Sequence, residues 1–147
     1  MKKTFIALAL FSVAAGAQAS DTSCQSVTEN EITSLFQQWN KGLKAKDPEL
    51  MADFYAEDAV LLPTLSNEMR TNHAEIADYF SYFLKKGPQG EINERVVVLG
   101  CNKATDTGIY TFSFADGSKA QARYTYVYRF ADNKWLISHH HSSVMPE

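Results

Sequence analysis

Apolar positions recur first at helical and then at alternating spacing, and the change falls near Gly90. Ile32, Leu35, Phe36, Trp39 and Leu43 repeat three and four apart and predict one buried helical stripe. Thr28 and Glu31 form a capping box at its start, and Val27 with Ile32 fits the accompanying hydrophobic staple. Asp47-Pro48 opens a second, shorter helix, with Leu50, Met51, Phe54 and Tyr55 as its apolar face. A third starts near Asn72, where Glu75 completes another capping box. It presents Ile76, Tyr79, Phe80, Phe83 and Leu84 before Gly87-Pro88 stops it. Ala59 to Pro63 reads as a short strand. After Gly90 the strands run from Ile92 to Leu99, Gly108 to Phe114, Ala120 to Phe130 and Lys134 to Ser142. Asp116-Gly117 and Asp132-Asn133 supply hairpin turns. The expected class is α+β, with three N-terminal helices packed on one face of a curved, mainly antiparallel sheet.

The chain's start changes the compartment. Lys2 and Lys3, the apolar run Phe5 to Ala15 and the small-x-small site Ala17-Gln18-Ala19 predict a signal peptide over residues 1–19 and a domain over residues 20–147. No later run reaches the roughly 20 apolar residues that span a bilayer, so no membrane partner is expected. A periplasmic or secreted protein follows. In that compartment Cys24 and Cys101, the two cysteines, read most simply as a disulfide tying the N-terminal arm to the middle of the sheet. A redox pair would call for C-x-x-C spacing, which they lack. Removing Lys2 and Lys3 takes the 14 basic residues to 12 against 17 acidic ones, a net charge of −5. Such a balance disfavours nucleic acid, whose phosphates dominate affinity.

The last strand pair carries a resemblance. Tyr124-Thr-Tyr-Val-Tyr-Arg-Phe130, the turn Ala131-Asp-Asn133 and Lys134-Trp-Leu-Ile-Ser-His-His-His-Ser-Ser143 are similar to the end of the calcium/calmodulin-dependent protein kinase II association domain. Tyr55-Ala-Glu-Asp-Ala-Val60 fits the wider nuclear transport factor 2-like and SnoaL-like superfamily, whose secreted bacterial members are often labelled SgcJ/EcaC-type oxidoreductases. The resemblance spans about Glu29 to Pro146. It implies a cone with a pocket between helices and sheet, and a homodimer, or a larger ring, built on the outer sheet face. The kinase's own motifs are absent from the sequence, so no kinase domain is expected. The arginines that bind small acids in the kinase domain are matched here by Tyr126 and Ser142. Leu61 and Leu62 stand where ketosteroid isomerases of the superfamily place an acidic base.

The histidines His139, His140 and His141 are the most prominent candidates. On a regular strand His139 and His141 share a face and His140 points away. With His73 as the remaining histidine, they fall short of the ligands a zinc site needs, so no metal is expected. They read as a packed dimer face or as pocket acid/base groups. Arg123 lies in an aromatic strand, where it either pairs with an acid such as Asp58 or Glu75 or binds an anion. Tyr110, Tyr124, Tyr126 and Tyr128 alternate as packing or as a polar pocket floor. Trp39, Tyr55, Tyr79 and Phe83 read as cavity wall or core. The candidate ligand contacts are therefore Arg123, His139, His141, Tyr110, Tyr126, Trp39, Tyr55 and Tyr79. No dinucleotide or phosphate-binding fingerprint is present, so no cofactor is expected. The expected function is a self-associating domain holding a small, mostly apolar ligand without turnover. The alternative is an isomerase-type enzyme using a pocket His or Tyr.

Overall fold

The computed structural model describes residues 23–146; the signal-peptide expectation lies outside them. Helix α1 (Glu29–Gly42) begins at the capping box, where Thr28 Oγ1 accepts from the Glu31 amide at 3.3 Å and the Glu31 carboxylate accepts from the Thr28 amide at 2.7 Å. Its stripe buries Ile32, Phe36 and Trp39, and Leu43 continues it into a 3-10 turn. Helix α2 (Pro48–Ala52) is capped by Asp47, and α3 (His73–Phe83) by Asn72. The Glu75 carboxylate accepts from Thr71, one residue before the cap, instead of closing the box on Asn72. No described helix is long and apolar enough to cross a membrane.

Strand β1 (Tyr55–Leu62) lies between α2 and α3, and β2 (Gln89–Gly100), β3 (Lys103–Ser113), β4 (Lys119–Ala131) and β5 (Lys134–Val144) follow as a meander. The sheet order is β1-β5-β4-β3-β2, antiparallel except for the parallel β1–β5 pair. Tyr55, expected on the second helix, instead opens β1. The Ile137 amide donates to the Phe54 carbonyl oxygen at 2.9 Å, so pairing with β5 outweighs the helical spacing that Phe54 and Tyr55 continue.

Strand β3 starts five residues earlier than the apolar pattern suggested and β2 ends one residue later, so they meet in a turn at Cys101-Asn102, with Asn102 at φ 52°. The Cys24–Cys101 disulfide is formed, and it anchors the N-terminal arm at this hairpin tip rather than mid-sheet. Asn102 straps the same arm, accepting from the Gln25 amide and donating to the Ser23 carbonyl oxygen.

The concave face of the sheet carries the core, and of its three register slips those in β2 and β5 set which residues reach it. In β2 the register slips between Ile92 and Glu94. Gly108 faces that slip, where a Cβ would fall 1.9 Å from the Glu94 carbonyl oxygen. In β5 the register slips between Ile137, which pairs with Tyr128, and His139, which pairs with Val127. A bulge of this kind spends an extra residue and reverses the alternation beyond it. Ile137 and His140 therefore both point inward, followed by Ser142. The Ser138 hydroxyl donates to the Val127 carbonyl oxygen across the bulge, at 3.0 Å.

Candidate functional site: a hydroxyl-lined cavity around His140

Inside the cone, aromatic side chains from α1, α3 and the sheet close around a small group of polar ones. His140 is buried, stacked on Tyr126 at 4.0 Å between ring centroids and met edge-on by Trp39 at 5.9 Å. Its Nδ1 lies 2.9 Å from the Tyr55 hydroxyl and its Nε2 3.5 Å from that of Tyr110. Tyr110 donates to Ser142 Oγ, which is hydrogen-bonded to Thr64 Oγ1. The Tyr79 hydroxyl donates to the Thr64 carbonyl oxygen at 3.2 Å. The free space among these groups is about 10 Å³, walled by Trp39, Phe83 and Phe112 and lined by the hydroxyls of Thr64, Tyr79, Tyr110 and Ser142. That is room for about one water.

Burial sets the protonation states. It pushes the His140 imidazole down to about 3, with His141 and His139 adding a smaller effect, so the ring is neutral at pH 7. It pushes Tyr110 up to about 12 and raises Tyr55 and Tyr79 well above the ordinary phenol value. The cavity thus presents hydroxyls as neutral donors beside one neutral imidazole. Among the described residues no three His, Cys, Asp or Glu side chains gather as a metal-ligand set.

Of the residues singled out from sequence, Trp39, Tyr55, Tyr79, Tyr110 and Tyr126 converge here. His139 and His141 do not: both are exposed on the outer sheet face, because the bulge at Ser138 turns His140 inward in their place. Arg123 is also exposed on the outer face, where it shares a recess of about 520 Å³ with Glu94 and His141. Its expected acidic partners are engaged elsewhere, Asp58 with Arg129 and Glu75 at the start of α3.

The charge held within the sheet is instead Asp106, which the sequence reading passed over. Its Oδ1 accepts from Arg95 Nε at 3.0 Å and from the Tyr124 hydroxyl at 2.8 Å. Burial raises its pKa, opposed by those two partners. Thr64 was also missed as a cavity residue, while His140 stood outside the candidate ligand contacts and Ser142 entered only through its match to a pocket arginine of the resembled family. The signal for the last two is the bulge, which alternation alone does not reveal.

Known proteins place this geometry. The calcium/calmodulin dependent protein kinase II association domain family matches over residues 28–146. The chain belongs to that family. A calcium/calmodulin dependent protein kinase II association domain structure from Xanthomonas campestris is 44% identical, with a TM-score of 0.77 over 88% of this chain and 99% of that one. The association-domain fold is shared more widely. The iota-carbonic anhydrase of a cyanobacterium, in complex with bicarbonate, is 19% identical, with a TM-score of 0.73 over 89% of this chain and 98% of that one. A nuclear transport factor 2-like protein from Pseudomonas putida, 18% identical, has a TM-score of 0.71 over 81% and 87%. These last two likenesses carry the fold alone. No curated protein sequence matches significantly.

Proposed function

We propose that this association-domain protein binds carbon dioxide and bicarbonate around His140, in the cavity of about 10 Å³ enlarged by movement of its Tyr79 and Phe83 wall, and interconverts them. The observation that carries the reading is the chain of hydroxyls that runs from Tyr110, beside the neutral His140 imidazole, through Ser142 to Thr64 along one small, aromatic-walled space. Apolar walls suit carbon dioxide, and hydroxyl donors suit the oxygens on which negative charge appears. The iota-carbonic anhydrase, which shares only the fold, holds bicarbonate, and the ligand is chosen here by that analogy of fold.

In this scheme a water in the cavity attacks the carbon of carbon dioxide, a C–O bond forms, and one water proton departs. His140 Nε2 accepts that proton, in the tautomer whose Nδ1–H donates to the Tyr55 hydroxyl, while one C=O π pair of carbon dioxide moves onto its oxygen. Burial by itself makes the imidazole a weak base. The bicarbonate charge forming beside it offsets that penalty, since an opposite charge favours the imidazolium. Proton acceptance and anion formation are therefore coupled. Thr64 and Ser142 orient the water and then donate to the anion.

Stopped-flow hydration of carbon dioxide with a pH indicator tests the reading on the mature chain. The expected result is acceleration above buffer that falls about a hundredfold in Ser142→Ala, the scale for losing one oxyanion donor. A wild-type rate equal to buffer sinks it.

Export and self-association complete the proposal. The Cys24–Cys101 bond supports an oxidising compartment. Val96, Val98 and Val144 are exposed on the sheet, and such apolar exposure supports burial against a second copy. A sedimentation profile of a monomer at micromolar concentration removes the self-association part and leaves the cavity reading in place.

A further inference from the structure

The cavity around His140 shares part of its wall with a second space. Thr64, Tyr79 and Phe83 line both the cavity of about 10 Å³ and a recess of about 180 Å³, which the exposed Leu65 and Tyr82 border further out. Tyr79 and Phe83 belong to α3, whose Ile76 and Phe80 are fully buried in the core. Thr64 belongs to the 63–69 loop between β1 and α3. The wall is therefore part helix and part loop, and the Tyr79 hydroxyl joins the two by donating to the Thr64 carbonyl oxygen at 3.2 Å.

The loop is fixed at its base. Leu61 and Arg70 exchange backbone hydrogen bonds at 2.8 and 2.9 Å, and the Arg70 guanidinium binds Asp78 of α3 at 2.9 Å. Glu68 turns back onto Arg70 at 3.3 Å and so adds nothing beyond that base. Past it, among the described residues, the hydrogen bonds that tie the loop to the rest of the domain both lie at Thr64. Its Oγ1 is bonded to Ser142 Oγ, and its carbonyl oxygen to Tyr79. The next residue is strained. Leu65 has φ 65°, in the left-handed region that a bulky L side chain rarely adopts. It is 55% exposed, so packing does not impose that conformation. The two bonds at Thr64 do, and strain of this kind persists only while neighbouring contacts over-determine it.

The closed cavity has room for about one water, so carbon dioxide and bicarbonate pass only when the wall opens. We propose that residues 64–69 form a strap that gates the cavity, latched by the Tyr79 hydroxyl and lifted as Leu65 relaxes out of its left-handed conformation. The purpose of the gate, exchange of carbon dioxide and bicarbonate, rests on the function proposed above. Lifting withdraws Thr64 from Ser142 and takes the acceptor from the Tyr79 hydroxyl. The Tyr79 ring, with Phe83 stacked on it at 5.4 Å, is then free to swing and join the cavity to the recess. The open state admits substrate but lacks the Thr64 donor. Closing restores that donor and excludes bulk water. Access to the site and its assembly are a single motion.

Backbone ¹⁵N relaxation dispersion on the mature protein reads the gate without reference to activity, because lid opening falls in the microsecond-to-millisecond range. Exchange is expected at the amides of Thr64 to Met69 and of Tyr79 and Phe83, with the Leu61 and Arg70 amides quiet. Tyr79→Phe removes only the latch hydroxyl and is expected to raise the open population about fivefold, the equilibrium equivalent of one ordinary hydrogen bond. Leu65→Asn, at an exposed position, tolerates the left-handed conformation and is expected to lower that population by about as much. Flat profiles along the strap in both wild type and Tyr79→Phe overturn the gate. Populations that the two variants leave unaltered, or shift in the same direction, do the same. Strap exchange in a protein that does not hydrate carbon dioxide keeps the gate and removes the catalytic reading. Hydration by a protein whose strap is motionless removes the gate and leaves the cavity reading in place.

Discussion

His140 shows how a single side chain couples site and stability. Its folded pKa lies below that of the unfolded chain, so between about pH 3 and pH 6.5 the unfolded state binds more protons. Stability is therefore retained above pH 6.5 and lost as pH falls toward 3. Denaturant unfolding at pH 7 and pH 4 should show this loss in the wild type and a reduced one in His140→Asn. Equal pH dependence in the two proteins would show that His140 already titrates normally in the fold. His139→Ala and His141→Ala, on the outer face, should leave carbon dioxide hydration within about twofold of wild type. Asp106 carries a different risk. Asp106→Ala leaves Arg95 Nε and the Tyr124 hydroxyl without their acceptor. It should cost about 3 kcal/mol, the scale for breaking one side of a buried ion pair, read as a lowered denaturation midpoint.

At the scale of the element, the two bulges decide what faces inward. Gly108→Ala tests the one in β2. The added methyl would meet the Glu94 backbone at 1.9 Å, and main chain cannot rotate away as a flexible side chain can. A loss of 3 kcal/mol or more is expected by chemical denaturation; a variant as stable as wild type would mean that β2 relaxes freely there. The helix starts were legible because capping depends on side chains three residues apart, as Thr28 with Glu31 shows. The short α2 was legible only at its Asp47-Pro48 start. Its end was misread because Phe54 and Tyr55 continue the helical spacing, while the strand they enter is stabilised by a partner more than 80 residues away. In β5 the alternation was visible but its phase was not, since nothing local marks Ser138 as the extra residue.

For the whole molecule, the disulfide and the aromatic interior act at different places. Cys24–Cys101 closes a separation of 77 residues at the hairpin tip. Replacing both cysteines by serine should lower stability by about 4 kcal/mol in the chain-entropy account. Thermal melting measures that loss, and unchanged melting would show that the unfolded chain is already restricted there. Neither cysteine nor Asn102 lines the cavity, whose walls come from α1, α3, the sheet and the loop after β1, so the same variant should retain carbon dioxide hydration. The α+β class, the helix starts, the paired cysteines and the aromatic lining followed from local patterns, because capping, periodicity and composition act over a few residues. Which histidine enters the cone, where Arg123 and Asp106 lie, and how Thr64 comes to meet Ser142 depended on strand register and sheet order. Those are long-range choices, fixed when β5 pairs with β1 on one side and β4 on the other, and one slipped residue between them exchanges the inner face for the outer.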